Sequence, residues 1–407
     1  MRTIGLDVHQ SFCEVAICEA GVVRPRGRVE TSVEALELFA QSLGADDRVA
    51  METSGPAFAV ARILAPHVGE VIVTNAAEVR AISHARVKSD RFDARTLAQL
   101  AESGMLSSVW VPDPETAALR RRVARRAALI RQRTKAKNEI HAVLARCLLG
   151  KPQVSDLFGA GGRRWLERLE LATEEQETLE GCLREIDFCD REIAILDRKL
   201  AEWAVESAEA KRLMTIPGVG MAAAVTLMSA IGDISRFDDP RKLVAYLGLD
   251  PTSRQSGDQP ARGGKISKRG NTQARSVLVE AAWTAIRSPG PLRAFAERVR
   301  SRHGGPVAAV AVARKIAVLS WHLLTREQDY AFGRPSLVRQ KLRAAERLAG
   351  SPLLSKRHGG QRVSATSAER AVERELAQRA EAAYRRTIAD WKAGGKKGAG
   401  ATKGRAS

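Results

Sequence analysis

Apolar and polar positions alternate with a period of two over Thr3–Val8 and again over residues 12–18, with a short connection between them. That pattern predicts a β-hairpin. A third strand is predicted around residues 22–29. Ser32 is placed to cap a helix whose apolar positions Leu36, Leu38 and Phe39 precede Gly44. Residues 48–51 read as a short buried strand, followed by a Gly55-Pro56 break and an apolar helix to about Ala65. Residues 71–73 read as another strand, and residues 78–84 and 90–103 as helices. The order β-β-β-α-β-α-β predicts a mixed sheet flanked by helices, an α/β domain over residues 1–112.

Beyond residue 112 the period changes. Leu179, Cys182, Ile186, Cys189, Ile193, Leu196 and Leu200 follow alternating steps of three and four, an a/d seam of three heptads. Val123, Ile130 and Leu144 fall at heptad multiples, interrupted by Lys137, and Gly159, Gly161 and Gly162 separate the two halves. Residues 113–204 are therefore expected to form a helical coiled-coil region, as an antiparallel hairpin or a dimerising pair. Residues 205–330 are expected to form a second, mainly α-helical unit. Residues 331–407 read as a basic tail with one amphipathic helix near 366–391 and a disordered end.

Composition narrows the class. The chain has 407 residues, 44% hydrophobic and 28% charged, which excludes a wholly disordered or fibrous protein and suits two or three domains. Its 66 Lys and Arg against 47 Asp and Glu give a net charge of +19, which points to a polyanionic partner, nucleic acid first. No run of 18 apolar residues and no signal-peptide shape are found, so a cytoplasmic location without a membrane is expected. The five cysteines show no CxxC pairing, as expected of reduced thiols. Cys182 and Cys189, on the heptad seam, read as core residues.

The charge is segregated. Residues 117–151 carry eleven Lys or Arg, Arg121 and Arg125 among them, against the single acid Glu139. Residues 334–407 carry 18 basic and six acidic side chains. Both blocks read as nucleic-acid footprints. Residues 164–210 reverse the sign and read as a protein–protein or solvent-facing element.

Four carboxylates carry the sharpest chemistry. Asp7 lies within an apolar strand, Glu52 ends the next buried strand, and Asp90 and Asp93 stand three apart at a helix start, facing one side. Each alone is more often structural. Together they form a hard-oxygen set suited to magnesium (Mg2+) or manganese (Mn2+), and paired metals can clamp both oxygens of a phosphodiester displacement. The pattern resembles RNase H-like nucleases of the Holliday-junction-resolvase type. His9 reads as a neighbour of Asp7 rather than a ligand.

Two further motifs follow. Ile216-Pro217-Gly218-Val219-Gly220 reads as the turn of a helix-hairpin-helix. The backbone N–H groups near Gly218 and Gly220 could hold a phosphate without reading sequence. A loop from Tyr246 to Asn271 is rich in small and basic residues, and Arg262, Lys265, Lys268 and Arg269 could neutralise a phosphate. Any of Ser253, Ser256 or Ser267 is by chemistry alone most simply a loop hydroxyl.

Gly5-Leu6-Asp7-Val8-His9, Glu52-Thr53-Ser54-Gly55, Lys88-Ser89-Asp90-Arg91-Phe92-Asp93-Ala94, Ile216-Pro217-Gly218-Val219-Gly220, and Ser256-Gly257 before Ile266-Ser267-Lys268-Arg269-Gly270-Asn271 stand in the order found in one family. Across about residues 1–325 the chain resembles transposases of the insertion-sequence one-hundred-ten family, the bridge-RNA-guided recombinases. The resemblance implies an RNase H-like DEDD domain formed by Asp7, Glu52, Asp90 and Asp93, a coiled-coil middle, and a transposase domain with Ser256 as nucleophile. Ser253 is the register alternative. It also implies donor and target DNA, a noncoding bridge RNA and a homo-oligomer, dimer or tetramer, as partners. Two other classes remain open at this point, a metal-dependent junction resolvase using water and a non-catalytic nucleic-acid scaffold.

Overall fold

The computed structural model describes residues 1–83, 90–150, 152–254, 262–350 and 366–401. The chain divides into two compact units, Met1–Asp113 and Pro114–Ser407.

The first unit contains β1 (Thr3–Val8), β2 (Phe12–Glu19), β3 (Val22–Glu30), α1 (Val33–Gln41), β4 (Arg48–Glu52), α2 (Ala57–Leu64), β5 (Glu70–Thr74), α3 (Ala76–Ser83) and α4 (Asp90–Glu102). The sheet runs β3-β2-β1-β4-β5. β1 pairs antiparallel with β2 and parallel with β4, and β4 pairs parallel with β5, so the expected mixed sheet is present. Both faces of β1 are covered. Ile4, Leu6 and Val8 join Leu36, Val49, Met51, Val60 and Leu64 in the main core. The opposite face lies under α4, whose Ala101 packs on Ala50 and Ile72. Gly5 makes this close approach possible: a Cβ there would stand 2.1 Å from the Ala94 carbonyl oxygen and 2.6 Å from the Ala98 nitrogen. Any side chain at position 5 collides with the α4 backbone.

The second unit is mostly helical. It contains α5 (Pro114–Arg146), α6 (Ala160–Leu166), α7 (Thr173–Glu206), α8 (Ala208–Met214), α9 (Met221–Ile231) and α10 (Pro240–Tyr246). A two-stranded antiparallel ribbon, β6 (Pro251–Arg254) and β7 (Arg262–Ile266), follows. The chain continues through α11 (Thr272–Arg287), α12 (Pro291–His303), α13 (Gly305–Arg326), α14 (Pro335–Leu348) and α15 (Ser367–Ala401).

The heptad positions of α7 are spent inside the chain. Leu179, Cys182 and Ile186 pack with Ala136, Ile140 and Leu144 of α5. Cys189 and Ile193 pack with Leu129, and Leu200 lies in the main core with Val123. The two helices therefore run antiparallel. Burial pushes the thiols of Cys182 and Cys189 up, as befits inert core residues.

The same pairing corrects the reading of the acidic block. Arg126 meets Asp197 at 2.5 Å, Arg133 meets Asp190 at 2.5 Å, and Arg146 meets Glu175 at 2.6 Å. Asp197, Asp190 and Glu175 of α7 are counter-charges of the basic helix α5, because antiparallel packing sets them against its arginines. Such exposed pairs contribute little stability individually, but they relieve the repulsion along α5.

The basic tail is also more built than expected. Helix α14 was not foreseen, and α15 extends ten residues past 391. Glu381 of α15 is buried, accepts hydrogen bonds from the Gly290 backbone N–H (3.0 Å) and Arg293 Nε (2.9 Å), and pairs with Arg385. The disorder expected at the end falls on residues 402–407, outside the described residues. On composition and length α13 could cross a membrane, yet Val312, Ala313, Ile316, Ala317, Leu323 and Leu324 lie in the helical core.

Lys341 of α14 donates through Nζ to the carbonyls of Met214 (2.7 Å) and Ile216 (2.8 Å), tying α14 to the turn after α8. Desolvation lowers its pKa to about 8. Between about 8 and the ordinary lysine value of 10.5 the unfolded chain holds a proton that the folded chain has released. Folding stability should therefore rise with pH in that window, by at most about 1.4 kcal/mol per pH unit from this group. Lys341→Met should flatten that slope relative to the wild type, measured by chemical denaturation between pH 8 and 10.5.

Candidate active site

Asp7, His9 and Asp90 gather at the C-terminal end of β1, with Asp93 near enough to act on Asp7; Glu52 and Asp93 are not part of that three-residue ligand group. The strand register explains how. β1 and β4 pair from Thr3↔Arg48 to Leu6↔Met51, so the next residues on the two strands are Asp7 and Glu52. They follow the same face, the one under α4. Helix α4 brings its first turn, with Asp90 and Asp93, over that end of β1. Asp7, His9 and Asp90 each offer a ligand atom, and these atoms lie within 4.8 Å of one another. Asp7 is 20% exposed, Asp90 and His9 about twice that.

His9 stands within this group. Its Nε2 stands 3.0 Å from Asp7 Oδ2 and 3.5 Å from Asp90 Oδ1. The i,i+2 spacing on a strand end, which puts both side chains on one face, was the sequence signal. Burial raises the pKa of Asp7 most strongly. The His9 charge and hydrogen bond oppose that, and the negative charges of Asp93 and Asp90 push it further up. Asp93 is thus near enough to act on Asp7 electrostatically. The site holds its negative charge under strain, which a cation would relieve.

Two neighbours escaped the sequence reading. Glu14 on β2 is the register partner of Asp7 and only 2% exposed. It accepts from Arg28 Nε at 2.8 Å, and that guanidinium lies 4.1 Å from the centroid of Phe12, which in turn stacks on His9. Thr74, the register partner of Glu52, is fully buried, and its hydroxyl has no hydrogen-bond partner among the described residues. The donor set is hard carboxylate oxygen with one imidazole and a spare hydroxyl beside it. Magnesium or manganese fits that chemistry.

In the second unit the ribbon is anchored at its base. Pro251 pairs with Ile266, and Thr252 Oγ1 donates to the Lys265 carbonyl at 2.9 Å. Ser267 Oγ donates to Asp250 at 2.5 Å. A Cβ at Gly270 would stand 2.1 Å from the Tyr246 carbonyl oxygen, and Asn271 caps α11 by accepting from Ala274 N–H at 2.9 Å. The Lys-Arg-Gly-Asn motif therefore locks the ribbon to α10 and α11, and leaves Lys265, Lys268 and Arg269 exposed. Arg262 begins β7 and Ser253 lies in β6. Ser256 lies outside the described residues.

Gly218 has φ +86°, and a Cβ there would stand 2.1 Å from the Ala281 carbonyl oxygen. Its freedom serves close packing on α11. Gly220 precedes α9 without a side-chain cap, which leaves the first N–H groups of that helix for other acceptors. On α5, Arg121 and Arg125 are exposed. Arg120 instead caps α9, donating to the Ser229 and Ala230 carbonyls at 2.6 and 2.9 Å, and to Tyr246.

Residues 4–148 match the IS110-type DEDD transposase profile, described as Transposase, and residues 210–297 match Transposase IS116/IS110/IS902 family. The chain belongs to the IS110 family of transposases. It is similar to the y4qE protein of Sinorhizobium fredii, at 29% identity over 69% of this chain and 71% of that one. It is also similar to the transposase for insertion sequence element IS1111A of Coxiella burnetii, at 29% over 60% of this chain and 69% of that one. The pilin gene-inverting protein of Moraxella bovis shares 32% identity over 30% of this chain and 38% of its own length. The first matched segment of this IS110-family transposase encloses Asp7, Glu52, Asp90 and Asp93; the second encloses the Gly218 turn and the β6–β7 ribbon. The enzyme is a DNA transposase and recombinase. The DEDD class implies use of a divalent metal.

Proposed function

We propose that this transposase cuts and rejoins DNA through a covalent serine intermediate, with Asp7, Glu52, Asp90 and Asp93 as the metal-holding set of an RNase H-like domain (residues 1–112). A divalent cation held there supplies positive charge to the scissile phosphate. Ser256 supplies the nucleophile: its Oγ forms a bond to phosphorus, the bond from phosphorus to the 3′ oxygen breaks, and that oxygen leaves as a 3′ hydroxyl. The hydroxyl proton of Ser256 passes to a base, since a neutral hydroxyl is a weak nucleophile. Attack by a 3′ hydroxyl on the phosphoserine reverses these steps and joins the exchanged strands. Lys265, Lys268 and Arg269, with Arg262, offset the phosphate charge.

The observation carrying this reading is the assembly of Asp7, His9 and Asp90 at one strand end, with Asp93 acting on the same carboxylate. A chain that only bound nucleic acid would not gather desolvated acids where phosphate must approach. In the same reading residues 113–204 serve as the coiled-coil region and residues 205–330 as the serine-bearing domain, with residues 331–407 adding nucleic-acid contacts. An element-encoded bridge RNA pairs with donor and target DNA, so base pairing selects sequence while Arg121, Arg125 and the Gly218–Gly220 turn hold backbone. A dimer or tetramer joined through the coiled coil supplies acids and serine together, in the cytoplasm at the bacterial nucleoid. Because the α7 seam is filled by α5, such a contact uses outward residues, of which Phe188 and Ile195 are exposed.

Ser256→Ala should lose all covalent protein–DNA adducts, trapped by denaturation during turnover, while Ser253→Ala retains them. Adducts that persist in Ser256→Ala would move the nucleophile. Cleavage by the wild type with no adduct would favour a resolvase using water.

A further inference from the structure

Beside the β6–β7 ribbon the helical unit carries a groove of about 410 Å³. Its walls are Leu249, Pro251, Ile266, Phe295, Val310 and Val318. Pro251 and Ile266 are register partners at the base of the ribbon, so the groove lies directly at the foot of the segment that carries Ser256. Arg314 and Lys315 stand at its edge, both exposed, and neither forms an ion pair with a described carboxylate. Lys315 Nζ lies 5.9 Å from the centroid of the Phe295 ring.

We propose that this groove takes one unstacked nucleobase of the DNA strand being cut. An apolar slot with an aromatic wall matches the face of a base, and cations at the mouth match its flanking phosphates. The volume falls in the range of about 300–1,000 Å³ usual for small-molecule sites. A purely apolar ligand would leave Arg314 and Lys315 without a role. Also at the α13 N-terminus, Trp283 is 45% exposed against Gly305, in a second depression that holds Arg287, Arg300 and Glu297. Drawing a base out of a duplex costs a few kcal/mol, which stacking on a side chain offsets in part.

The position of the base follows from chain length. Ser256 lies five residues from Pro251, at most about 18 Å of fully extended backbone. That length covers about five base steps at 3.4 Å each. The captured base therefore belongs within about five steps of the phosphate that Ser256 attacks. This placement rests on the serine assignment proposed above; occupancy of the groove does not.

The test is photocrosslinking of the full-length chain, wild type and Ser256→Ala, to oligodeoxythymidine 20-mers bearing a single 5-iododeoxyuridine. Crosslinked peptides are mapped by mass spectrometry. Phe295 should be labelled in both proteins, and the label should vanish in Phe295→Ala. Val307, at the mouth of the groove and 50% exposed, provides a substitution that spares the core. Val307→Glu should weaken oligonucleotide binding roughly tenfold, the scale of one lost base–aromatic stack, with an unchanged melting temperature. Labelling confined to peptides lacking Phe295, or unchanged binding by Val307→Glu, would overturn the proposal. So would equal labelling of Phe295 by an iodouridine-bearing oligouridine, which would assign the groove to RNA. Should Ser256→Ala still form adducts while Phe295 is labelled, the serine assignment fails and the groove stands.

Discussion

Gly5→Val should abolish DNA cleavage and destabilise the first unit in one stroke. The Cβ of any residue at position 5 would lie 2.1 Å from a backbone oxygen and 2.6 Å from a backbone nitrogen of α4. Neither is a flexible side-chain end, so the whole helix has to retreat. Overpacking of this kind costs about 1–3 kcal/mol or more. The loss of function should exceed the loss of stability, because α4 carries Asp90 and Asp93 while β1 carries Asp7. A shift of about 1 Å in reacting groups can cost on the order of a hundredfold in rate. Gly5→Ala should show the same effects more mildly. Gly181→Ala is the control: it lies mid-helix in α7 with only the far end of Arg184 nearby, and should be stabilising by up to about 1 kcal/mol without loss of cleavage. Urea unfolding and a plasmid-nicking assay measure the two effects.

Asp7→Asn should reduce strand cleavage by about a hundred- to a thousandfold, the scale of losing a principal electrostatic group in a catalytic site, while leaving the fold intact. The stability side has a definite sign. The folded-state pKa of Asp7 is raised, chiefly by burial and further by Asp93 and Asp90. Its ionisation therefore opposes folding: the contribution falls as pH rises from the ordinary aspartate value of 3.8 through the folded pKa, and the deficit persists at neutral pH. In chelator-containing buffer the Asn variant should be at least as stable as the wild type. A residue retained for structure would show the opposite, lost stability with cleavage in proportion. Cleavage unchanged in magnesium would remove Asp7 from the metal-holding set.

The sequence pattern reached far into the first unit. Alternation located β1 and β2, and Asp7 stood out because a carboxylate in an apolar strand needs a partner. The i,i+3 pair at the head of α4 was equally readable, since helix geometry alone puts Asp90 and Asp93 on one side. Glu14 was not readable, because its place opposite Asp7 depends on hairpin register rather than on local pattern. His9 was readable as a neighbour of Asp7; its approach to Asp90 was not, because it depends on α4 bringing that residue to the ring. The α5–α7 pairing shows a similar gap. Counting charges along the chain separated a basic block from an acidic one, but only antiparallel packing sets Arg126 against Asp197 and Arg146 against Glu175. Helix α14 was hidden in a segment whose composition suggested a tail, although Leu342 and Ala345 give it an apolar face and Lys341 reaches back to two carbonyls.

The central claim is that these carboxylates hold a divalent cation. The direct measurement is titration of Mn2+ into the purified chain, followed by the loss of the free-ion electron paramagnetic resonance signal. The wild type should bind manganese saturably and magnesium should compete, while Asp7→Asn and Asp90→Asn should each bind at least about tenfold more weakly, as expected when one ligand of a metal site is removed. Equal manganese binding by wild type and Asp7→Asn, or no binding by the wild type, would contradict it.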